Sequence, residues 1–489
     1  MKIRTRMAPS PTGEFHIGGM RTLLYNYVLA KNSGGEFILR IEDTDRERLV
    51  VGAVERLVKV IKDYGLDWDE GPEKGGTHAP YVQSQRLDLY IKYALELIQS
   101  GHAYYCFCTK ERLDTLREQQ HAQGFPSTKY DKHCLGLSKE EVAKKLASHE
   151  PYVIRLKVPA NQEVSFEDKT LGRISFPTND IDDQVLIKSD GFPTYHLAVA
   201  VDDHLMEINY VLRGMEWLPS TPKHILLYQA FGWDLPTYAH LPLLKEIGDT
   251  KKLSKRMGSV SAVEFLAEGY LPEALLNFLM FLGWNPGTEK EIYSLEEFIK
   301  DFSIDKIHKT DLVVFDRDKL SWYNGYYIRQ LSVPDLWKKL VMWANEFGAS
   351  LAEGDFDQEY VLKVLSLVQD RMKTFKEFVL LTKYFFEAPK VDLLMLNKQS
   401  TSPQRSQLIL GSFQEMYRSV EKGNWQTENL DTISHQMIAQ KDFKPKEAFM
   451  TLRVAITGET ATPPIFEILS ALGKDEVLSR LDVQKNEGP

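Results

Sequence analysis

The chain has 489 residues, 43% of them hydrophobic and 26% charged, enough apolar material for roughly three to five domains that build their cores without disulfide staples. Sixty basic against 69 acidic residues give a net charge of −9. That balance excludes a protein coated in positive charge for indiscriminate polyanion binding, so any nucleic-acid contact has to be local. No apolar run approaches the ~20 residues that span a bilayer, and residues 1–11 lack the apolar core of a signal peptide. The expectation is a cytoplasmic protein with no membrane partner.

In chain order, Lys2 to Ala8 reads as a first strand, ended by the turn Pro9-Ser10-Pro11-Thr12-Gly13. A helix is predicted from about Met20 to Lys31, a second strand from Glu36 to Ile41 and a crossover helix from Val51 to Tyr64. Strand, helix, strand, helix predicts an α/β fold with a doubly wound parallel sheet. Ligands bind such sheets at the carboxyl ends of the strands, where Pro9 to Gly19 and Glu42-Asp43-Thr44-Asp45 both fall. From about Gln83 to Lys188 the pattern is mixed, with helices near Leu87 to Gln99 and Lys110 to Gln120 and short strands such as Tyr152 to Val158. This reads as an insertion. The sheet pattern returns at Thr194 to Leu212, followed by a helix from about Trp217 to Phe231 and a strand at Ala239 to Lys245. Beyond about Val260 nearly every segment has helical period, which predicts a helical bundle or array.

Three constellations carry chemistry. Phe15-His16-Ile17-Gly18-Gly19 opens the first helix, where two glycines let a nucleotide approach the backbone, the helix amino end favours phosphate and His16 can donate to it. Alone, this pattern also describes a capped helix with a surface histidine. Lys252-Leu253-Ser254-Lys255-Arg256 follows a strand; alone, it also describes a solvated basic loop. The two together are what adenylate chemistry needs. All three cysteines, Cys106, Cys108 and Cys134, fall within one short stretch, which in a reducing compartment favours a metal or free thiols over disulfides. Three thiolates around one tetrahedral ion would make a closed structural site that needs a fourth ligand. His133 and His121 are the ordinary candidates for it, and reduced cysteines packing the end of a strand are the alternative.

The histidine-glycine motif, the preceding turn and the lysine-serine-lysine segment, in this order and spacing, resemble the class I aminoacyl-tRNA synthetases. Arg40-Ile41-Glu42-Asp43-Thr44-Asp45, Pro193-Thr194-Tyr195-His196-Leu197, Val211-Leu212-Arg213-Gly214-Met215-Glu216-Trp217, Tyr270 to Phe278, Phe315 to Leu320 and Gly458-Glu459-Thr460 extend the resemblance over the whole length to the bacterial-type glutamyl-tRNA synthetases. The resemblance implies a Rossmann-like class I catalytic domain with an inserted α+β acceptor-binding domain and an all-helical C-terminal half. The implied bounds are 1–82 and 191–250 for the catalytic halves and 83–190 for the insertion with its cysteine cluster. They continue as 251–320 for a stem-contact domain with the lysine loop, then 321–377 and 378–489 for two helical anticodon-binding domains. It also implies glutamate-tRNA ligase activity, with ATP, L-glutamate and tRNA as partners, Mg2+ accompanying ATP, one structural Zn2+, and a monomer.

Residue by residue, the resemblance makes His16 and Lys255 catalytic, and gives ATP His16, Gly18, Gly19, Lys252, Ser254 and Lys255. An acidic substrate side chain needs a fixed cation, and arginine offers the planar bidentate geometry that lysine lacks. The family assigns that task to Arg6 and Arg213, the α-ammonium to Glu42, and the rest of the pocket to Ala8, Ser10 and Tyr195. On the residues alone, Arg6 is as well explained by a structural salt bridge to Glu42 or Asp43. Tyr130 is the implied fourth metal ligand beside Cys106, Cys108 and Cys134. Three positions depart from relatives: Gly19 where a second histidine is frequent, Val199 where some carry asparagine, and Gly136 where a metal-site histidine or cysteine is frequent. Arg371, in Asp370-Arg371-Met372-Lys373-Thr374-Phe375-Lys376, is the candidate anticodon contact, since basic and aromatic residues suit unpaired bases. An amphipathic helix with solvated charges is the alternative there. A base-modifying relative would lack the helical half, and a noncatalytic RNA-binding module would not need His16, Arg6, Arg213 and Lys255 together.

Overall fold

The computed structural model of the chain describes residues 2–125, 127–253, 260–351 and 357–486. Contacts divide it into two units, Met1–Phe265 with Leu275–Arg317, and Leu266–Ala274 with Asp318–Pro489.

The first unit starts with β1 (Arg4–Met7), α1 (Ile17–Asn32), β2 (Glu36–Leu39) and α2 (Ala53–Asp63). β1 and β2 are parallel, with Arg6 opposite Ile38. Side chains alternate along a strand, so Arg4 and Arg6 share one face and Thr5 takes the other, where its hydroxyl donates to Asn26 O at 2.8 Å. Asn26, fully buried in α1, donates in turn to Leu212 O at 2.9 Å. These two bonds pin the helix, whose Ile17, Met20, Leu23, Leu24 and Val28 are wholly buried and contribute about 1.5–3 kcal/mol each.

The insertion holds α3 (Leu87–Gln99), β3 (Ala103–Cys106), α4 (Lys110–Ala122), α5 (Lys139–Ala147), β4 (Val153–Leu156), β5 (Glu163–Asp168), β6 (Gly172–Pro177) and β7 (Val185–Ile187). Its strands form two groups. β3, β4 and β7 make an antiparallel sheet, while the β5–β6 hairpin reaches away and pairs Asp168 with Tyr238 of the next segment.

That segment runs α6 (Tyr195–Leu205), β8 (Tyr210–Gly214), α7 (Thr221–Phe231), β9 (Thr237–Leu241) and β10 (Leu243–Glu246). β8 and β9 are parallel, and β8 lies beside β1, where Asn209 N–H donates to Arg4 O at 3.2 Å. A parallel sheet with helices is thus present, and three expectations change in detail. Thr194 to Leu212, predicted to resume the sheet directly, begins with helix α6. Leu197 through Asp203 are all buried, so that helix has no polar face to reveal its period. The predicted strand Ala239–Lys245 is two strands split at Pro242, which has no N–H to continue a ladder; β10 instead pairs in parallel with β11 (Leu312–Phe315). β11 also interrupts the run predicted as helical.

In the second unit no β-strand occurs among the described residues. Helices Val333–Phe347, Gln358–Val368, Lys376–Phe386, Pro403–Ser419, Thr427–Gln440 and Pro445–Thr457 bury Leu336, Leu340, Val364, Leu365, Phe378 and Phe413 in one core. Ser332 and Ser402 cap two of them, accepting from Asp335 N–H and Arg405 N–H, about 1 kcal/mol each. No described helix is long and apolar enough to cross a membrane.

Candidate active site and cysteine cluster

A cavity of about 400 Å³ opens at the carboxyl ends of β1 and β8. Arg6, Ala8, Ser10, His16, Gly18, Gly19, Glu42, Tyr195 and Arg213 all line it. Nine residues picked from separate motifs therefore share one space.

His16 is the cap of α1, with extended backbone, and its Nδ1 accepts Gly18 N–H at 3.0 Å. An accepting Nδ1 leaves the neutral ring's proton on Nε2. Gly18 N–H is thus occupied by the ring. A Cβ at Gly18 would lie 3.2 Å from His16 Nδ1, and one at Gly19 would lie 2.9 Å from the Phe15 ring. Phe15 thereby fills the room that a side chain at position 19 would use.

Ser254 and Lys255 lie outside the described residues. The residues on either side of that segment are held: Leu253 N–H donates to Leu244 O at 2.6 Å, and Ile17 N–H donates to Val260 O at 2.7 Å beside His16. Lys252 is half-exposed and does not line the cavity. It meets Glu216 Oε1 at 2.7 Å, and Glu216 does line it.

Arg6 does not pair with Glu42 or Asp43. Its Nε donates to both oxygens of Asp203, at 3.1 and 3.3 Å. Asp203 also takes Arg40 Nη1 at 2.7 Å, and Arg40 Nη2 donates to Glu42 Oε1 at 3.1 Å. Arg86 Nε donates to neighbouring Asp202 at 2.8 Å. Three arginines and three carboxylates thus share one buried network. Burial pushes Asp203 up, but Arg6 and Arg40 more than reverse it and hold it below the usual carboxylate range. Glu42 ends above that range because burial outweighs the pull of Arg40 and Arg6.

Arg213, 5% exposed, stands differently. Its Nε donates to His240 Nε2 at 3.1 Å, Nη1 to Tyr195 Oη at 3.1 Å and Nη2 to Thr221 Oγ1 at 2.7 Å, with His224 Nδ1 3.4 Å from Nη1. Among the described residues it has no ion-pair partner. Burial, then Arg213 among other cations, pushes His224 well below the ordinary histidine value; burial, Lys223 and Arg213 lower His196 to about 3. Burial raises the Tyr195 phenol, so it too stays neutral.

Asp203, Arg40, Thr221 and His240 were not singled out from sequence. The usable signal was Asp202-Asp203 directly after the apolar run Leu197 to Val201, since acids there require buried partners. Val199 is buried and does not line the cavity.

In the insertion, the sulfurs of Cys106, Cys108 and Cys134 lie within 4.8 Å of one another. Tyr130 Oη is 3.4 Å from Cys106 Sγ and 3.3 Å from Cys108 Sγ, and Cys108 Sγ is 3.5 Å from Cys134 Sγ. Sulfurs on one tetrahedral zinc stand about 3.8 Å apart, so this donor set fits. His121 and His133 are exposed and outside the group. Arg371, in the second unit, is exposed on a short 3-10 turn, Gln369–Arg371, between the buried Val368 and Met372.

Residues 2–322 match the family model described as tRNA synthetases class I (E and Q), catalytic domain, and residues 335–484 match an anticodon binding domain. The chain is 43% identical to the glutamate-tRNA ligase of Gloeobacter violaceus, over 98% of this chain and 94% of that protein. It is 44% identical to that of Clostridium botulinum, over 99% and 98%. A crystal structure of a glutamate tRNA ligase from Elizabethkingia meningosepticum, in complex with its amino acid, superposes with a TM-score of 0.88 at 36% identity, covering all of both chains. With a catalytic-domain match that begins at residue 2 and relatives alike from end to end, the chain belongs to the class I tRNA synthetases for glutamate and glutamine.

Proposed function

We propose that the chain is a glutamate-tRNA ligase: it joins L-glutamate to ATP as glutamyl-adenylate, then passes the glutamyl group to the terminal ribose of a tRNA. The observation that carries the choice of amino acid is Arg213, a buried cation at the cavity wall whose protein hydrogen-bond partners are all uncharged. A substrate carboxylate supplies the missing charge, and a neutral amide would not.

The first step needs no general base, because the substrate α-carboxylate is already ionised at neutral pH. One carboxylate oxygen attacks the α-phosphorus, a new P–O bond forms, and the bond to the β-phosphate breaks as pyrophosphate leaves with its electron pair. A ribose hydroxyl then attacks the acyl carbon and AMP departs. Rate comes from positioning and from charge stabilisation on the phosphate oxygens. Arg6 and Arg213 grip the side-chain carboxylate, Glu42 receives the ammonium, and Ala8, Ser10 and Tyr195 close the pocket. His16 donates from Nε2 to the phosphates, Gly18 and Gly19 permit the approach, and Lys252, Ser254 and Lys255 add donors and charge. Mg2+ entering with ATP would supply further positive charge at the phosphates. Cys106, Cys108, Cys134 and Tyr130 would hold one structural Zn2+, and its binding would tie the end of β3 to the segment after α4. Arg371 contacts the anticodon. The enzyme works as a cytoplasmic monomer.

The test is charging of labelled glutamate, with ATP and magnesium, onto purified glutamate tRNA and glutamine tRNA side by side. Charging of the first alone identifies a discriminating enzyme, and charging of both a non-discriminating one. Failure on both, with folded protein, refutes the proposal.

A further inference from the structure

Behind Arg213 stands a buried pair that the reaction itself does not use. His240 and Asp168 are both fully buried, with His240 Nδ1 2.6 Å from Asp168 Oδ2. Arginine cannot accept a hydrogen bond, so the 3.1 Å contact from Arg213 Nε makes His240 Nε2 the acceptor. The ring proton must then sit on Nδ1 and point at Asp168. The other oxygen of Asp168 is held by backbone donors: Thr170 N–H at 2.9 Å, Leu171 N–H at 3.0 Å and, more distantly, His240 N–H at 3.4 Å donate to Oδ1, while the Thr170 hydroxyl stands 2.6 Å from Oδ1 and 2.7 Å from His240 O and can give its one proton to either. The backbone N–H groups at Oδ1, the His240 ring proton and Arg213 Nε–H therefore each have one assigned direction.

We propose that Asp168 and His240 are positioning residues for glutamate: the β5–β6 hairpin of the insertion fixes the His240 tautomer, and that tautomer fixes Arg213. This rests on the glutamate-ligase reading of the same pocket. A carboxylate in direct contact with Arg213 would occupy the guanidinium and compete with the substrate. Placed one imidazole away, Asp168 offsets the buried positive charge and leaves Arg213 able to take an anion at the cavity. Burial and Arg213 keep His240 neutral against the pull of Asp168, which the accepting Nε2 requires.

Three variants separate this from simple packing. In D168N the donors at Oδ1 hold the amide oxygen in place, so the amide NH2 faces His240 Nδ1 and drives the ring proton to Nε2, against Arg213 Nε–H. H240N keeps a donor near Asp168 but loses the acceptor for Arg213. H240Q places an acceptor where Nε2 was. In tRNA charging, loss of one charge-assisted hydrogen bond should raise KM for glutamate roughly 10- to 100-fold in D168N and H240N, with KM for ATP unchanged, and H240Q should recover most of the affinity. Equal KM values for H240N and H240Q overturn the proposal, even when D168N fails to fold. So does a parallel rise in KM for ATP. Imidazole 15N shifts, assigned by comparison with H240Q, give a readout independent of charging. They should show Nδ1 protonated in the unaltered protein, and protonated Nε2 there sinks the relay. If the unaltered protein shows the expected tautomer and charges no glutamate, the ligase reading fails while the relay stands.

Discussion

On one wall of the cavity Arg6 donates straight to a carboxylate, Asp203; on the other, Arg213 donates to His240, Tyr195 and Thr221, and Asp168 waits behind the imidazole. Both guanidiniums are about equally buried. The difference lies in how each charge is balanced before substrate arrives. Arg6 sits in a network of three arginines and three carboxylates that is neutral by itself, so its task is geometric. Arg213 has no carboxylate in direct contact, its balancing Asp168 standing one imidazole away, and on the proposed reading it is the wall that tells an acid from an amide.

The largest effect expected is on stability of the Arg6 wall. D203N removes the charge shared by Arg6 and Arg40, and breaking a buried pair costs about 3–5 kcal/mol. The denaturant midpoint should fall accordingly. A midpoint within error of the unaltered protein would mean that this wall is not held by its charges. R213A reverses the pattern: folding should survive, since no buried carboxylate loses a direct partner. Its kcat/KM for glutamate should fall roughly 100- to 1,000-fold, the loss expected for a desolvated charge contact. If R6A lost more than R213A, the division of labour between the walls would be inverted.

A pH titration sharpens the same contrast, because three histidines, the partly buried His196 and the buried His224 and His240, lie on the Arg213 side and all have lowered affinity for protons. The unfolded chain binds protons to these residues near the free value of about 6.5, while the folded chain does not, so stability rises with pH. Their contribution is present above about 6.5 and is lost as pH falls below it; His196 and His224, the two lowered furthest, each remove about 1.4 kcal/mol by pH 5.5, and His240 acts in the same direction. For His196 the loss continues down to about pH 3. Unfolding midpoints between pH 7 and 5 should show the decline, and replacing His224 with Gln should flatten it. A midpoint that is level over this range contradicts the neutral state of all three.

The two walls also differ in how far they could be read from sequence. Arg6, Ser10, His16 and Glu42 sit in short motifs at strand ends, where local order alone places them at the mouth of a parallel sheet. Arg213 was readable for the same reason. Their partners were not. Asp203 meets Arg6 across 197 residues and Asp168 meets His240 across 72, and a lone acid or histidine carries no local sign of such a meeting. Secondary structure failed for the same kind of reason. Helix α3 was read over Leu87–Gln99 with the bounds it has, because one face stays wet. Helix α6 was read as sheet because burial on all sides erased its period, and β11 owes its existence to β10, some seventy residues earlier.

The smallest effect expected is the one that isolates the relay from the metal. The cysteine cluster and the hairpin carrying Asp168 lie in the same insertion but in separate sheets, β3-β4-β7 and β6-β5-β9-β8. If zinc staples only the first sheet, C134S should lower the metal content from about one per chain and destabilise the segment between β3 and β4. It should leave KM for glutamate within about twofold, as independent sites do, while KM for tRNA should rise if the insertion grips the acceptor end of the tRNA. Y130F, which removes only the oxygen, should show a weaker version of the same pattern. A glutamate KM that climbs with metal loss would mean that the two sheets move as one body. Asp168 would then report the state of the metal to the amino-acid pocket, and the Arg213 wall could no longer be treated as fixed.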